Sequence, residues 1–171
     1  MNAETPRYRP SSEEPSEPAL ERLCLQTQTL CSCERARSFW PEDPESRSQV
    51  GTPEAAAQLL EPFLVGHDRE HCYQLALDTK HRLLSVIQVS IGQAEHTFIS
   101  PREVYRDAVL AGASAIAIGH NHPSGDPEPS ADDIRLTRRL AQAGETLGIS
   151  VLDHLVIGSH DWVSLARRGQ L

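Results

Sequence analysis

Polar and apolar positions alternate over residues 72–78, with Tyr73, Leu75 and Leu77 at every second place. That is the period of a half-buried strand. Residues 83–91 are rich in Leu, Val and Ile and read as its partner, with Asp78-Thr79-Lys80-His81 as the hairpin turn between them. Gly92-Gln93 breaks this second strand, and residues 96–99 are expected as a third, short one. Helical signals flank the hairpin. Thr52-Pro53-Glu54 combines a capping residue, a proline suited to the first turn and an acid at the positive end of the dipole. Ala55, Leu59, Leu60 and Phe63 form the apolar face, and Pro62 is expected to distort or end the last turn.

Ser100-Pro101-Arg102-Glu103 is a second helix start, where Ser and Glu can satisfy two orphan amides reciprocally. Val104, Ala108, Leu110 and Ala111 supply its buried side, and Gly112 can close it in a left-handed cap. Residues 114–118 carry no charge and read as a central strand that runs into Gly119-His120. Pro123, Gly125, Pro127 and Pro129 mark residues 121–129 as a loop. A third helix follows over 130–147, with Ile134, Leu140, Ala143 and Leu147 inward and Gly148 closing it. Residues 149–157 are another strand, Gly158-Ser159 a turn, and 162–165 a last strand, with Trp162 in the core. The mixture predicts an α/β (α+β) fold with a mixed sheet.

Residues 1–50 differ from the rest. They hold six of the twelve prolines, many Glu, Ser and Arg, and little apolar periodicity. They read as a disordered or weakly ordered arm before one domain at 51–171, with a short helix over 18–29 the one element that could form. At 171 residues the chain suits one ordinary domain. The net charge of -8 supplies no global basic field for nucleic acid. Arg135, Arg138 and Arg139, or Arg167 and Arg168, could still make a local basic patch. No apolar run approaches the roughly 20 residues of a membrane span, and residues 1–10 lack a signal-peptide core. The expectation is a cytoplasmic protein with free thiols at Cys24, Cys31, Cys33 and Cys72. The spacing of the first three fits no strong metal pattern.

The chemistry concentrates in His120-Asn121-His122-Pro123 and Ser130-Ala131-Asp132-Asp133. Alternate residues on a strand face the same way, so both imidazoles can meet one ion. Asp133 lies in the first turn of the helix that the loop folds back. Two His and one Asp suit a zinc ion and leave its fourth position open to water, which makes hydrolysis possible. The plain alternative is that Ser130 and Asp133 only start a helix and that the histidines are solvated. Asp153 and His154 sit on a strand that could pass near the site, either as outer partners of a ligand imidazole or as a structural pair. Asp126 could line a substrate groove. His67, His71, His81, His96 and His160 have no defensible partner spacing.

These motifs resemble the JAMM (MPN-plus) metalloprotease pattern, and the longer string from His120 to Asp133 looks like its RadC-like branch. Ser100-Pro101-Arg102-Glu103 and Leu152-Asp153-His154-Leu155-Val156-Ile157-Gly158 also resemble that branch, so the likeness covers about residues 52–171. The arm before it does not look like the helix-hairpin-helix region of many RadC proteins. The resemblance implies a cytidine-deaminase-like sheet packed between helices, and one zinc per chain held by His120, His122 and Asp133. It implies that Ser130 helps to stabilise an oxyanion and that a Glu near the start of the first strand acts as general base. Glu70 is the candidate for that base, with Glu95 behind it.

Three function classes follow. The first is a zinc peptidase or isopeptidase on a peptide or protein substrate laid along a sheet edge. The second is a DNA-repair-associated protein or metal-dependent nuclease, for which the sequence offers no second ligand cluster and no basic balance. The third is a non-catalytic module that keeps zinc for interaction.

Overall fold

The computed structural model describes residues 36–38, 47–92 and 99–171. The described residues form six strands and three helices, in the order β1 (Ala36–Ser38), α1 (Pro53–Leu64), β2 (His71–Leu77), β3 (Leu83–Ile91), α2 (Pro101–Leu110), β4 (Ala115–Asn121), α3 (Ala131–Leu147), β5 (Ser150–Ile157) and β6 (Trp162–Ser164). The strands form one mixed sheet in the order β1-β3-β2-β4-β5-β6. All neighbours are antiparallel except β4 and β5, which run parallel and are joined by the crossover helix α3.

The helices cover both faces. Ala56, Ala57, Leu60 and Leu64 of α1 pack on Leu75, Leu77, Ala117, Leu155 and Ile157. On the other face, Val104, Tyr105 and Ala108 of α2 and Leu140 of α3 pack on Ala76, Ile87, Ile116 and Ile118. Leu60, Leu64 and Leu140 are fully buried, and each such side chain stabilises the fold by roughly 1.5–3 kcal/mol. The mixed α/β sheet is what the alternating patterns predict, and its place between helices is what the family resemblance implies.

The hairpin forms as expected. Asp78 organises its turn by accepting from the Lys80 and Arg82 amides, at 2.8 and 2.9 Å, and from Arg82 Nε at 2.7 Å. Thr52 caps α1 by accepting from the Ala55 amide at 3.3 Å. Pro62 does not end that helix, which continues to Leu64. The buried α1 face held against the sheet outweighs the one hydrogen bond that proline removes.

Other local expectations need correction. Ser100 makes no side-chain cap bond, and Glu103 lies instead 3.5 Å from Arg106, one turn along. Leu110 is 64% exposed and Leu147 50% exposed, so neither faces inward. The buried positions of α3 are Asp133, Thr137, Leu140 and Gly144, an i, i+4, i+7 stripe rotated away from Leu147. Residues 93–98 lie outside the described residues, and with them most of the expected strand at 96–99 and Glu95. Ile99 is buried and lies outside any strand.

Most of the stretch read as an arm, including the helix at 18–29 and Cys24, Cys31 and Cys33, also lies outside the described residues. Within it, β1 pairs with β3, Gln49 bridges to Arg82, and Val50 is buried in the core.

Candidate metal centre

The buried strand β4 runs three residues further than its apolar pattern predicts, to Asn121, and so carries His120 inside the sheet. The pairing with β5 continues one step more, because the His122 amide donates to the Ile157 carbonyl at 3.0 Å. The two-residue period therefore holds across His120 and His122, and both rings turn to the face covered by α2 and α3. Their Nε2 atoms lie 3.1 Å apart.

Asp133 arrives from the first turn of α3. Ser130 caps that helix in a complete capping box: its amide and hydroxyl donate to Asp133 Oδ2 at 2.7 and 2.6 Å, and its oxygen accepts from the Asp133 amide at 3.2 Å. The box leaves Oδ1 free to face His120 Nε2 at 3.3 Å, while Oδ2 is 3.5 Å from His122 Nε2. Capping and convergence on the histidines are thus one arrangement, served by the same carboxylate.

The loop between the two motifs is held from outside. Gly125 and Gly158 pack so closely that a Cβ on Gly125 would meet Ser159 Oγ at 2.4 Å, and one on Gly158 would meet the Gly125 carbonyl at 2.5 Å. The Ser159 amide donates to that carbonyl at 3.0 Å. Arg168 clamps Glu128 with two bonds of 2.6 and 2.9 Å. This docking places the Asp126 carbonyl 2.9 Å from His122 Nδ1.

The hydrogen bonds assign the protons. Thr137 Oγ1 donates its only proton to the Asp133 carbonyl at 2.6 Å. Its contact of 2.6 Å with His154 Nδ1 must then be accepted, so His154 carries its proton on Nδ1. His154 Nε2 is left as an acceptor for His120 Nδ1–H at 2.9 Å, and His120 Nε2 is bare. His122 Nδ1 faces a carbonyl, which only accepts, so the neutral ring leaves its Nε2 bare as well. Two imidazole lone pairs and a carboxylate then converge without a donor among them. A cation fits that place, and His120, His122 and Asp133 are the group of described residues whose donor atoms all lie within 4.8 Å of one another.

Electrostatics follow the same geometry. Burial pushes His120 down to about 4, against the lift from Asp133. Burial and the neighbouring His120 push His154 down to about 3. His122 moves up, chiefly because its protonated form would donate from Nε2 to Asp133. Burial raises the Asp133 carboxyl, but a hydrogen bond from protonated His122, positive charge on His120 and the two Ser130 bonds all favour the carboxylate, outweigh it and hold the group well below the usual range. The centre is dry at His120, whose side chain is 1% exposed, and opens to solvent along His122 and Glu70, at 19% and 22%.

Glu70, just before β2, brings Oε1 to 3.9 Å from His120 Nε2. Ser130 stands beside the cluster with its hydroxyl proton on Asp133. Asp153 is not brought to the cluster. Alternation along β5 turns it to the opposite face from His154, where it accepts from Ser164 Oγ at 2.6 Å and from the Ala166 amide at 3.1 Å. The Asp126 carboxylate accepts from the Glu128 amide at 2.9 Å. His67 and His71 stack on each other, with ring centroids 3.9 Å apart.

Sequence reasoning missed two contributors. Thr137 is one turn after Asp133 on the same helix face, a spacing that could have flagged it. Asn121 sits between the two histidines, and its role is visible only in three dimensions.

Comparison with known proteins agrees with the geometry. The model of the RadC-like JAB domain matches residues 50–170. A UPF0758 protein of Desulforudis audaxviator is 46% identical over 125 residues, which cover 73% of this chain and 54% of that protein. Another from Geotalea uraniireducens is 47% identical over 127 residues, covering 74% and 56%, and one from Desulfitobacterium hafniense is 40% identical over 138 residues, covering 81% and 61%. The chain spans little more than half the length of these relatives. With its mixed sheet between helices and its converging His120, His122 and Asp133, the chain belongs to the RadC-like JAB domain family.

Proposed function

We propose that this chain is a zinc-dependent hydrolase that cleaves a peptide or isopeptide-type amide bond in a peptide or protein substrate. The observation that carries the reading is the convergence of two bare imidazole nitrogens and one carboxylate beside a partly exposed glutamate. Nitrogen and carboxylate ligands in a set of three suit zinc with an open fourth position. When bound, the ion supplies Lewis acidity and an acidified water.

The residues divide the remaining work. His154 and Asp126 orient the two ligand rings through their Nδ1 atoms, and Ser130 orients the carboxylate. Glu70 accepts the proton of the attacking water at Oε1 and delivers it to the leaving nitrogen. Ser130 Oγ stands ready to donate to the developing oxyanion by releasing Asp133 Oδ2, a contribution on the order of 3 kcal/mol in organised sites. Phosphodiester cleavage commonly draws on two bridged ions, and among the described residues there is a single ligand cluster. This favours an amide over a nucleic acid. Among the described residues no helix is long and apolar enough to cross a membrane.

The test is a panel of fluorogenic peptides set against labelled single- and double-stranded DNA, with zinc-loaded wild type and Glu70→Gln. The reading predicts peptide turnover that falls by at least a hundredfold in Glu70→Gln while bound zinc is kept. Turnover of DNA alone would replace it with the nuclease reading. Full activity of Glu70→Gln would remove Glu70 as the base. No turnover of either would leave a zinc-bearing interaction module.

A further inference from the structure

The β2–β4 ladder ends at the pair Cys72–His120. The register stops there, and at the next position the side chain of Asn121 reaches across to the main chain at the start of β2. Its Oδ1 accepts from the His71 amide at 2.7 Å, and its Nδ2 donates to the Arg69 carbonyl at 2.9 Å. These are the two main-chain groups that flank Glu70. One partner can only donate and the other only accept, so the orientation of the amide is fixed. The carbonyl of Glu70 itself accepts from the Gly92 amide at 2.8 Å. Every main-chain contact named here pins the backbone around Glu70, whose Oε1 lies 3.9 Å from His120 Nε2. Asn121 is buried, and its side chain is not one of the converging donors.

We propose that Asn121 is a positioning residue for Glu70: it ties the backbone of residues 69–71 to the strand that carries His120, and so holds the carboxylate at its distance from the ligand nitrogens. The proposal rests on the reading of Glu70 as the general base. A primary amide suits the task because it offers one donor and one acceptor at the spacing of a strand partner. Aspartate keeps the acceptor for His71 and loses the donor to Arg69. Alanine loses both. A misplacement of about 1 Å at a catalytic group can cost a hundredfold in rate.

The experiment is a double-mutant cycle on the zinc-loaded protein with Asn121→Ala, Asn121→Asp, Glu70→Gln and Asn121→Ala/Glu70→Gln. Zinc content, exchange of the His71 amide and turnover of the most reactive fluorogenic peptide are measured on each. The expected result has four parts. Zinc stays at the wild-type level. His71 exchange is faster by tenfold or more in Asn121→Ala and close to wild type in Asn121→Asp. Peptide turnover falls about a hundredfold in Asn121→Ala, less in Asn121→Asp, with KM unchanged. The double variant is no slower than Glu70→Gln.

Additive losses in the double variant, loss of zinc in Asn121→Ala, or unchanged His71 exchange would each overturn the positioning role and leave Glu70 as the base. Full turnover in Glu70→Gln, or none in wild type, would instead bring down the base reading. If Asn121→Ala does not fold, Asn121→Asp and Asn121→Asp/Glu70→Gln carry the test: a fall in turnover in Asn121→Asp that is absent on the Glu70→Gln background supports the positioning role, and unchanged turnover in Asn121→Asp overturns it. A loss there additive with Glu70→Gln would overturn it.

Discussion

Two helices of this protein begin with the same spacing, a Ser and an acid three residues later, and do different things with it. At α2, Ser100-Pro101-Arg102-Glu103 yields no side-chain cap, and Glu103 turns to Arg106. At α3, Ser130-Ala131-Asp132-Asp133 closes a full capping box, and its acid is buried against two histidines. The difference is one methylene and the neighbours. Glu103 is long enough to reach a basic residue one turn on. Asp133 is short, and the positions one turn on are Leu136 and Thr137, which offer it no charge. Its carboxylate is therefore left for Ser130 and for His120 and His122. A capping pattern is thus a helix start by default, and it becomes a ligand only where the fold brings nitrogen donors to the same carboxylate.

The largest contrast is expected in metal binding. Asp133→Ala removes one of three ligands and should abolish tight zinc binding, whereas Glu103→Ala should leave it unchanged and shift stability by less than about 0.5 kcal/mol. Isothermal titration with zinc and urea unfolding check both. A metal-retaining Asp133→Ala would reduce α3 to a helix start like α2.

Acid separates the two regions next. In the metal-free protein His120 and His154 have folded values of about 4 and about 3, below their unfolded value of 6.5. The unfolded chain binds more protons in that window, so stability is present above 6.5 and is lost as pH falls towards 4. The loss from His120 alone is roughly 3 kcal/mol. His122 acts in the opposite sense: its value is raised, so its contribution is present below 6.5 and is lost as pH rises through the folded value. Urea unfolding from pH 7 to pH 4 should show the net loss, and His154→Gln should flatten it. A profile unchanged by His154→Gln would contradict the proton assignment along Thr137, His154 and His120.

The smallest effect is in the caps themselves. Ser130→Ala removes the two hydrogen bonds of the hydroxyl, keeps the one from the amide, and should cost about 1 kcal/mol and weaken zinc roughly 10- to 100-fold. Ser100→Ala should fall within about 0.5 kcal/mol of wild type. Equal effects of the two substitutions would erase the distinction between the helices.

Much of this was readable from residue order, for identifiable reasons. The hairpin, β4 and α3 follow from strict periods and from Gly and Pro punctuation. The convergence of His120, His122 and Asp133 follows from the two-residue strand period and the helix start. Burial at Val104, Ala108 and Leu140 followed as well, but not at the last residues of α2 and α3, because Leu110 and Leu147 match an apolar stripe that the packing rotates outward. Asp153 and His154 were read as a pair, yet neighbours on a strand face opposite ways. One had to miss the site, and the strand period alone would have said so. The backbone around Glu70 is held by Asn121, 51 positions away in sequence, through main-chain atoms that carry no side-chain signature.

The central claim is that His120, His122 and Asp133 hold one divalent ion. Elemental analysis of the purified protein under native conditions, beside His122→Ala shown to be folded by circular dichroism, tests it most directly. The account predicts about one zinc per chain in the wild type and none in the variant. A folded wild type that carries no metal and takes up none when zinc is added would contradict it, and would leave Ser130 and Asp133 as the cap of α3.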